Sequence, residues 1–276
     1  MSASPWRGGI AEGAAIARTW RPPSIWPWPW MGPAAWAAAA AFLLWNAVSL
    51  DINPERIARG LGRLGTVMAR AFPPDFSRTG LLASGVLESV EIATLATLFG
   101  VVLGIPLAVL AARNVVVLPV YATGRGVMTL GRTFHELIVA IVLVKAVGFG
   151  PLAGVLTLTV SSVSFFAKLL AERIETIDRG PIEAIRATGA SRGGVLVFGV
   201  LPQILPRIVG LTIYHWDIHL RQSTIIGIVG AGGIGATLYN AFSRYDYDFA
   251  LAILIVIVAI VLCSEAVSAV ARRSVQ

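Results

Sequence analysis

The sequence predicts an all-α integral membrane protein with about six transmembrane helices and both termini on the cytoplasmic side. Apolar composition, the length of the apolar runs and the placement of arginines carry that prediction. Hydrophobic residues make up 56% of the 276 positions and charged residues only 13%, with a mean hydropathy of +0.77. Soluble domains hold about 25% charged residues. A span needs about 20 mostly apolar residues to cross about 30 Å of hydrocarbon, so the chain has room for several spans in one membrane domain.

Residues 1–33 read as a cytoplasmic tail with an interfacial anchor. They carry Arg7, Arg18 and Arg21, then "RPPSIWPWPWMGP", where the prolines forbid a helix and the tryptophans suit the headgroup level. The first span covers 34–50. Residues 51–81 read as an external interfacial region, because Ile57, Leu61, Leu64, Met68 and Phe72 recur at helical spacing while Arg56, Arg59, Arg63 and Arg70 lie elsewhere on the wheel. Pro73 and Pro74 should stop that helix. The core, 82–276, holds spans over about 82–112, 133–147 and 152–170, one within 203–227, and the last over about 249–270.

The net charge of +7 comes from twenty arginines and two lysines. With the N-terminus inside, the cytoplasmic segments hold Arg113, Arg125, Arg132, the cluster from Lys168 to Arg207, and Arg272 with Arg273, besides the arginines of the tail. Outside are five arginines of the interfacial region and Arg244, a balance that favours the cytoplasmic assignment of both ends. Aromatic residues are not interleaved with the basic ones, so no nucleic-acid partner is expected. The single Cys263 excludes an internal disulfide.

"GIVGAGGIGATLYN" contains Gly230, Gly232 and Gly235 in the spacing G-x-G-x-x-G, with Asp248 farther on. A dinucleotide-binding turn needs a strand before it and a helix with a polar face after it. Here the motif falls between the last two spans, with "ALAILIVIVAIVLC" beyond, so that reading fails.

The segment 171–202 is too polar to span and long for a connection between spans. Within it, Glu183, Ala184 and Gly189, followed by Leu201 and Pro202, resemble the loop signature of bacterial ABC importer permeases, E-A-A-x-x-x-G-x₉-I-x-L-P. Ile185 stands in place of the second alanine and Gly199 in place of the isoleucine. Asp178, Pro181 and Glu183 suit the start of a short helix, and Ala184, Ala187 and Gly189 leave a small-residue surface for close approach by another protein. "RTFHELIVAIVLVKAVGFGPLAGVL", "FPPDF" and "RQSTIIGIVGAGGIG" look like the permease subunit of phosphonate importers, a resemblance that covers the chain from about Asn53 onward.

That resemblance implies an ABC importer permease fold like that of methionine importers, in the bacterial inner membrane. It implies a homodimer with two ATP-binding subunits docked on the Glu183 loop and an extracytoplasmic substrate-binding protein. The cargo would be a phosphonate or a phosphate-like anion; a phosphate importer on the same scaffold and a membrane enzyme are the alternatives. Neither Lys145 nor Lys168 lies in a phosphate-binding glycine loop, so ATP and Mg belong on the partner and no cofactor is expected on this chain.

Ionisable residues inside a membrane are functional candidates by default. They are Glu88 and Glu91 in the second span, His135, Glu136 and Lys145 in the third, and His215, Asp217, His219 and Arg221 in the fifth. Arg221 can grip a phosphonate with its guanidinium fork, or can pair with Asp217 one helical turn earlier. Arg221, Asp217 and His219 are therefore assigned to the translocation path. Ser223, Thr224, Gly230, Gly232 and Gly233 join them as part of an outer gate whose unwound backbone can face an anion. Lys145 is expected to form structural ion pairs with Glu88 or Glu91. His215 and His219 share a face but lack a third ligand, so no metal is expected.

Overall fold

The computed structural model describes residues 28, 30–50 and 54–273, except for the side chains of Arg192, Arg272 and Arg273. Arg7, Arg18, Arg21 and most of the proposed tail lie outside the described residues. All regular elements among those described are helical, and the chain divides into two units, residues 1–64 and 65–276.

In the first unit, α1 (Met31–Ser49) is an alanine-rich helix with no buried residue. Phe42, Leu43, Leu44 and Trp45 are each more than half exposed, an apolar surface suited to lipid. The helix α2 (Pro54–Ala71), whose residues 65–71 belong to the second unit, starts on a proline, with Glu55 in its first turn and Arg70 in its last, each favourable to the helix dipole. Its stripe of Ile57, Leu61 and Leu64 is exposed, as an interfacial helix requires, and the helix stops before Pro73 and Pro74.

The second unit contains α3 (Thr79–Leu110), α4 (Leu118–Thr133), α5 (Glu136–Val147), α6 (Pro151–Glu175), α7 (Arg179–Ala187), α8 (Arg192–Val195), a π-turn (Leu196–Val200), α9 (Leu201–Gly227), α10 (Gly233–Ser243) and α11 (Tyr247–Arg273). The principal pair is α3 on α6. Ala96, Gly100, Gly104 and Ala108 repeat every four residues and form a small, fully buried stripe on α3. A side chain at Gly100 would overlap Ser162, and a Cβ at Gly104 would come within 2.9 Å of the Phe166 ring. Lipid provides no hydrophobic drive between helices, so close van der Waals contact along such a stripe holds the pair.

Five helices are long and apolar enough to cross a membrane among the described residues, and a sixth span arises only if a bent pair is counted as one. That pair corrects the expected third span over 133–147. The chain bends by 86° between α4 and α5, and α5 has 12 residues, about 18 Å of helix against about 30 Å of hydrocarbon. Phe134 and His135 adopt extended backbone, and the His135 ring accepts from the Leu137 amide as the N-cap of α5. The apolar run "ELIVAIVLVKAV" was legible, whereas the helix leading into it, with Arg125 and Arg132, reads as a loop in sequence.

The two ends of this unit are held by different bonds. At one end, Glu175 accepts from the Arg113 amide (2.9 Å) and pairs with Arg125 (3.0 Å), tying α6 to α4 and to the turn after α3. At the other, Arg78 pairs with Asp246 (2.6 Å) and lies over the Phe249 ring, while the Asp75 amide donates to the Asp248 carbonyl. Hydrogen bonds from Ser77 hold the Asp75 carboxyl below its ordinary range, and Asp246 raises the Arg78 pKa further.

Candidate functional site

The short polar loop forms a helix whose ends are fixed by side chains. Asp178 caps α7 by accepting from the Gly180 amide at 3.0 Å. Gln203, in the first turn of α9, accepts from the Asp178 amide (2.9 Å) and donates to the carbonyls of Asp178 (3.1 Å) and Gly199 (2.8 Å). One side-chain amide thus locks the start of α7 to the π-turn. Ile182 and Ile185 face inward, while Glu183 and Ala184 are exposed. Gly189 has φ +78° with open space around it, and Leu201 and Pro202 are exposed.

The two departures from the loop signature meet in space. A Cβ on Gly199 would stand 3.4 Å from Ile182 and from the tip of Ile185. A larger residue at 185 is therefore accommodated by the smallest one at 199, and the helix keeps its seat on the π-turn.

Helix α9 distributes polar contacts to its neighbours. Trp216 Nε1 donates to Thr94 Oγ1 on α3 (3.1 Å), and His219 Nδ1 lies 2.8 Å from Thr97 Oγ1. Thr97 already donates to the Ala93 carbonyl, so its oxygen accepts from His219 and Nδ1 carries the proton. Asp217 accepts from Ser264 on α11 (2.8 Å) and pairs with Arg221 at 2.7 Å. Gln222 donates to Glu136 on α5 (2.8 Å), which also accepts from Ser161 on α6 (2.7 Å). Groups that would each be costly in hydrocarbon satisfy one another and fix the bundle.

These contacts locate the residues assigned to the path. His219 and Asp217 are buried inside the chain, and Ser223 is fully buried, donating to the Leu220 carbonyl of its own helix. Arg221 forms the ion pair with Asp217 yet keeps 42% of its side chain exposed. Thr224 is half-buried. Gly232 and Gly233 are buried in the turn from α9 to α10, and Gly230 carries the carbonyl that accepts from Gly150. Gly232 has φ +83°, and a Cβ there would meet Glu88 Oε1 at 2.7 Å and Pro151 at 2.8 Å. The turn is packed against α3 and α6, and Ser89 accepts from the Ile234 amide at its far side (2.9 Å).

The expected ion pairs of Lys145 do not form. Among the described residues no salt bridge joins Lys145 to Glu88 or Glu91; Lys145 is exposed in the last turn of α5, where free carbonyls and the dipole favour a cation. Glu91 is exposed, and Glu88 faces the glycine turn.

Two clefts lie along α6 and α9. A cleft of about 380 Å³ opens at the α4–α5 break beside Arg132, His135, Glu136, Ser161, Phe165 and Gln222. A larger one, about 1050 Å³, runs toward the α7 end beside Phe165, Arg173, Arg207 and Tyr214. In sequence, Arg132, Arg173 and Arg207 read as charges of cytoplasmic segments, since nothing in one dimension shows that α4 reaches the cleft or that α6 and α9 flank it.

A bent helix pair, a short polar helix set between two long spans and a glycine turn packed into the bundle define a multi-span helical membrane protein. The chain belongs to the family of binding-protein-dependent transport system inner membrane components, which matches residues 104–276. It is similar to the phosphite transport system permease protein PtxC of Stutzerimonas stutzeri, 37% identical over 80% of this chain and 81% of that protein. It is also similar to the phosphate-import permease protein PhnE of Mycolicibacterium smegmatis, 40% identical over 84% of this chain but 43% of that relative's length. Among solved structures, the MetNI methionine ABC transporter in an inward facing conformation aligns with a TM-score of 0.64 and 25% identity, covering 73% of this chain and 99% of that one. An amino acid ABC transporter chain shares the fold at a TM-score of 0.59 and 19% identity. The protein is thus a multi-pass inner-membrane transport component and not an enzyme.

Proposed function

We propose that the chain is the permease subunit of an ATP-driven importer for a phosphorus oxyanion, with phosphonate, phosphite and phosphate as the candidate cargoes. The observation that carries this reading is its 37–40% identity, across most of its length, to permeases named for phosphite and phosphate. Three guanidinium groups border the α6–α9 clefts, from Arg132, Arg173 and Arg207, against the two carboxylates of Glu136 and Glu172, and this modest positive excess suits such a cargo. A permease must release its cargo, so selectivity falls mainly to the external binding protein and the route attracts the anion only moderately.

In this reading the α7 end faces the cytoplasm, with both termini inside. Two copies of the chain assemble with two ATPases, and the exposed Glu183–Ala184 surface of α7 docks on one of them. Movement of the ATPases reaches the spans through the lock made by Gln203 and Asp178. ATP and Mg act on the partner. Co-purification of the ATPase, lost on Glu183→Arg, is the expected sign of this docking, and an unaltered complex would refute it.

The function is tested by uptake of radiolabelled phosphate in cells carrying the permease with its companion subunits, with and without excess methylphosphonate. Permease-dependent uptake that methylphosphonate leaves unchanged identifies a phosphate importer. Absent phosphate uptake, together with permease-dependent growth on the phosphonate, identifies a phosphonate importer. Permease-independent results with phosphate, phosphite and methylphosphonate alike overturn the oxyanion reading.

A further inference from the structure

One side chain borders both clefts. Phe165, at the middle of α6, lines the cleft at the α4–α5 break and the larger cleft that runs toward the α7 end. Ser161, Phe165, Leu169 and Arg173 recur every four residues, so they share one helix face, and that face lines a cleft on either side of the ring. The Arg132 guanidinium lies 5.9 Å from the ring centroid on one side, while Arg173 and Arg207 border the cleft on the other.

Behind the ring is a polar atom without a partner. The Phe165 ring stands 4.9 Å from that of His215, which is only 4% exposed. His215 Nδ1 lies 3.4 Å from Ser162 Oγ, and Nε2 is buried with no hydrogen bond. Buried polar groups are almost always paired, so an unmet ring nitrogen beside a half-buried aromatic points to a partner acquired in another arrangement. With Ser162 donating to Nδ1, Nε2 bears the proton and is a donor suited to an oxyanion.

We propose that Phe165 is the gate of the translocation route, and that turning its ring aside joins the two clefts and bares His215 Nε2 to the passing anion. The proposal rests on the oxyanion-permease reading. A benzene ring offers a hydrated anion no hydrogen-bond donor and a face of negative potential, so it bars the route while it lies across it. Arginines on both sides and the imidazole behind the ring replace water once it moves.

The test uses the whole importer, permease with ATPases and binding protein, reconstituted in liposomes. Entry of radiolabelled phosphite and phosphate is measured with and without ATP for wild type, Phe165→Ala, Phe165→Leu and Phe165→Trp. Wild type and Phe165→Trp should admit anion only with ATP. Phe165→Ala should raise ATP-independent entry severalfold, with Phe165→Leu in between. Wild-type ATP-driven uptake combined with a flat ATP-independent series overturns the gate and leaves the permease reading standing. If the alanine variant fails to assemble, the leucine variant decides, and passive entry no higher than wild type overturns the proposal. Should wild type import neither anion nor methylphosphonate with ATP, the parent reading falls and the gate with it. His215→Phe keeps the ring and removes the donor, so ATP-driven uptake should drop severalfold and recover in part with His215→Gln. Uptake of His215→Phe equal to wild type overturns the part assigned to Nε2.

Discussion

At the residue scale, the Asp217–Arg221 pair is lopsided. Asp217 has 7% of its side chain exposed and Arg221 has 42%. Removing the arginine strands a buried carboxylate, whereas neutralising the acid leaves a cation that is not enclosed by the chain. Arg221→Ala should therefore cost about 3 kcal/mol and Asp217→Asn about 1 kcal/mol, with the double variant more stable than Arg221→Ala alone. Thermal unfolding of the purified protein in detergent checks the order. Gly232 makes a second case, because its φ of +83° and the atoms of Glu88 and Pro151 both exclude a side chain. Gly232→Ala should lower the yield of folded protein, by strain of about 1–3 kcal/mol before any steric cost. A variant that elutes as normal folded protein yet fails in transport would support the gating role assigned to this glycine.

At the element scale, α7 is seated by size complementarity as well as by hydrogen bonds. Gly199→Ile alone should crowd Ile182 and Ile185, tilt the helix and reduce ATP-driven uptake; adding Ile185→Ala should restore most of it. Equal uptake by the single and double variants would show that the two positions act independently. The same element shows why the loop could be read in sequence and its lock could not. Asp178, Pro181 and the exposed small residues follow local rules of helix starts. Gln203 reaches back across the π-turn to a residue twenty-five positions earlier, a relation without local pattern.

At the scale of the whole molecule, charge supports the proposed orientation and ties the end away from α7. Arginines concentrate at the α7 end, where Arg113, Arg125, Arg173, Arg179, Arg186 and Arg207 lie, which supports the proposed cytoplasmic placement of that end. In a Cys263→Ser background, a membrane-impermeant maleimide applied to spheroplasts should label Tyr245→Cys and spare Gly189→Cys, both of which are exposed positions. The reverse pattern would invert the topology. The Arg78–Asp246 tie has a pH signature. A carboxyl with a lowered pKa contributes stability above its unfolded value and loses it only as pH falls through the folded one; a raised arginine contributes below its own high range. The lowered Asp75 and the raised Arg78 therefore place both losses outside the working range. Arg78→Ala should destabilise the protein equally at about pH 6 and about pH 8, as thermal unfolding at the two values would show.

By itself, the sequence determined the lipid-spanning class, the helical content, the amphipathic α2 and the site of the α7 helix, because apolar run length, periodicity and helix-start chemistry are local. It also contained the four-residue repeat from Ala96 to Ala108, whose meaning as the α3–α6 contact depends on which helix is the neighbour. Tertiary structure alone decided that the third span breaks at Phe134–His135, that Lys145 stands apart from Glu88 and Glu91, and that His219, Asp217 and Ser223 turn into the bundle. A polar residue in an apolar helix announces that it needs a partner, but its neighbours are chosen by how the helices rotate and cross. For the same reason Phe165, an unremarked aromatic in an apolar run, emerges as the residue between two clefts only when α4, α6 and α9 are brought together.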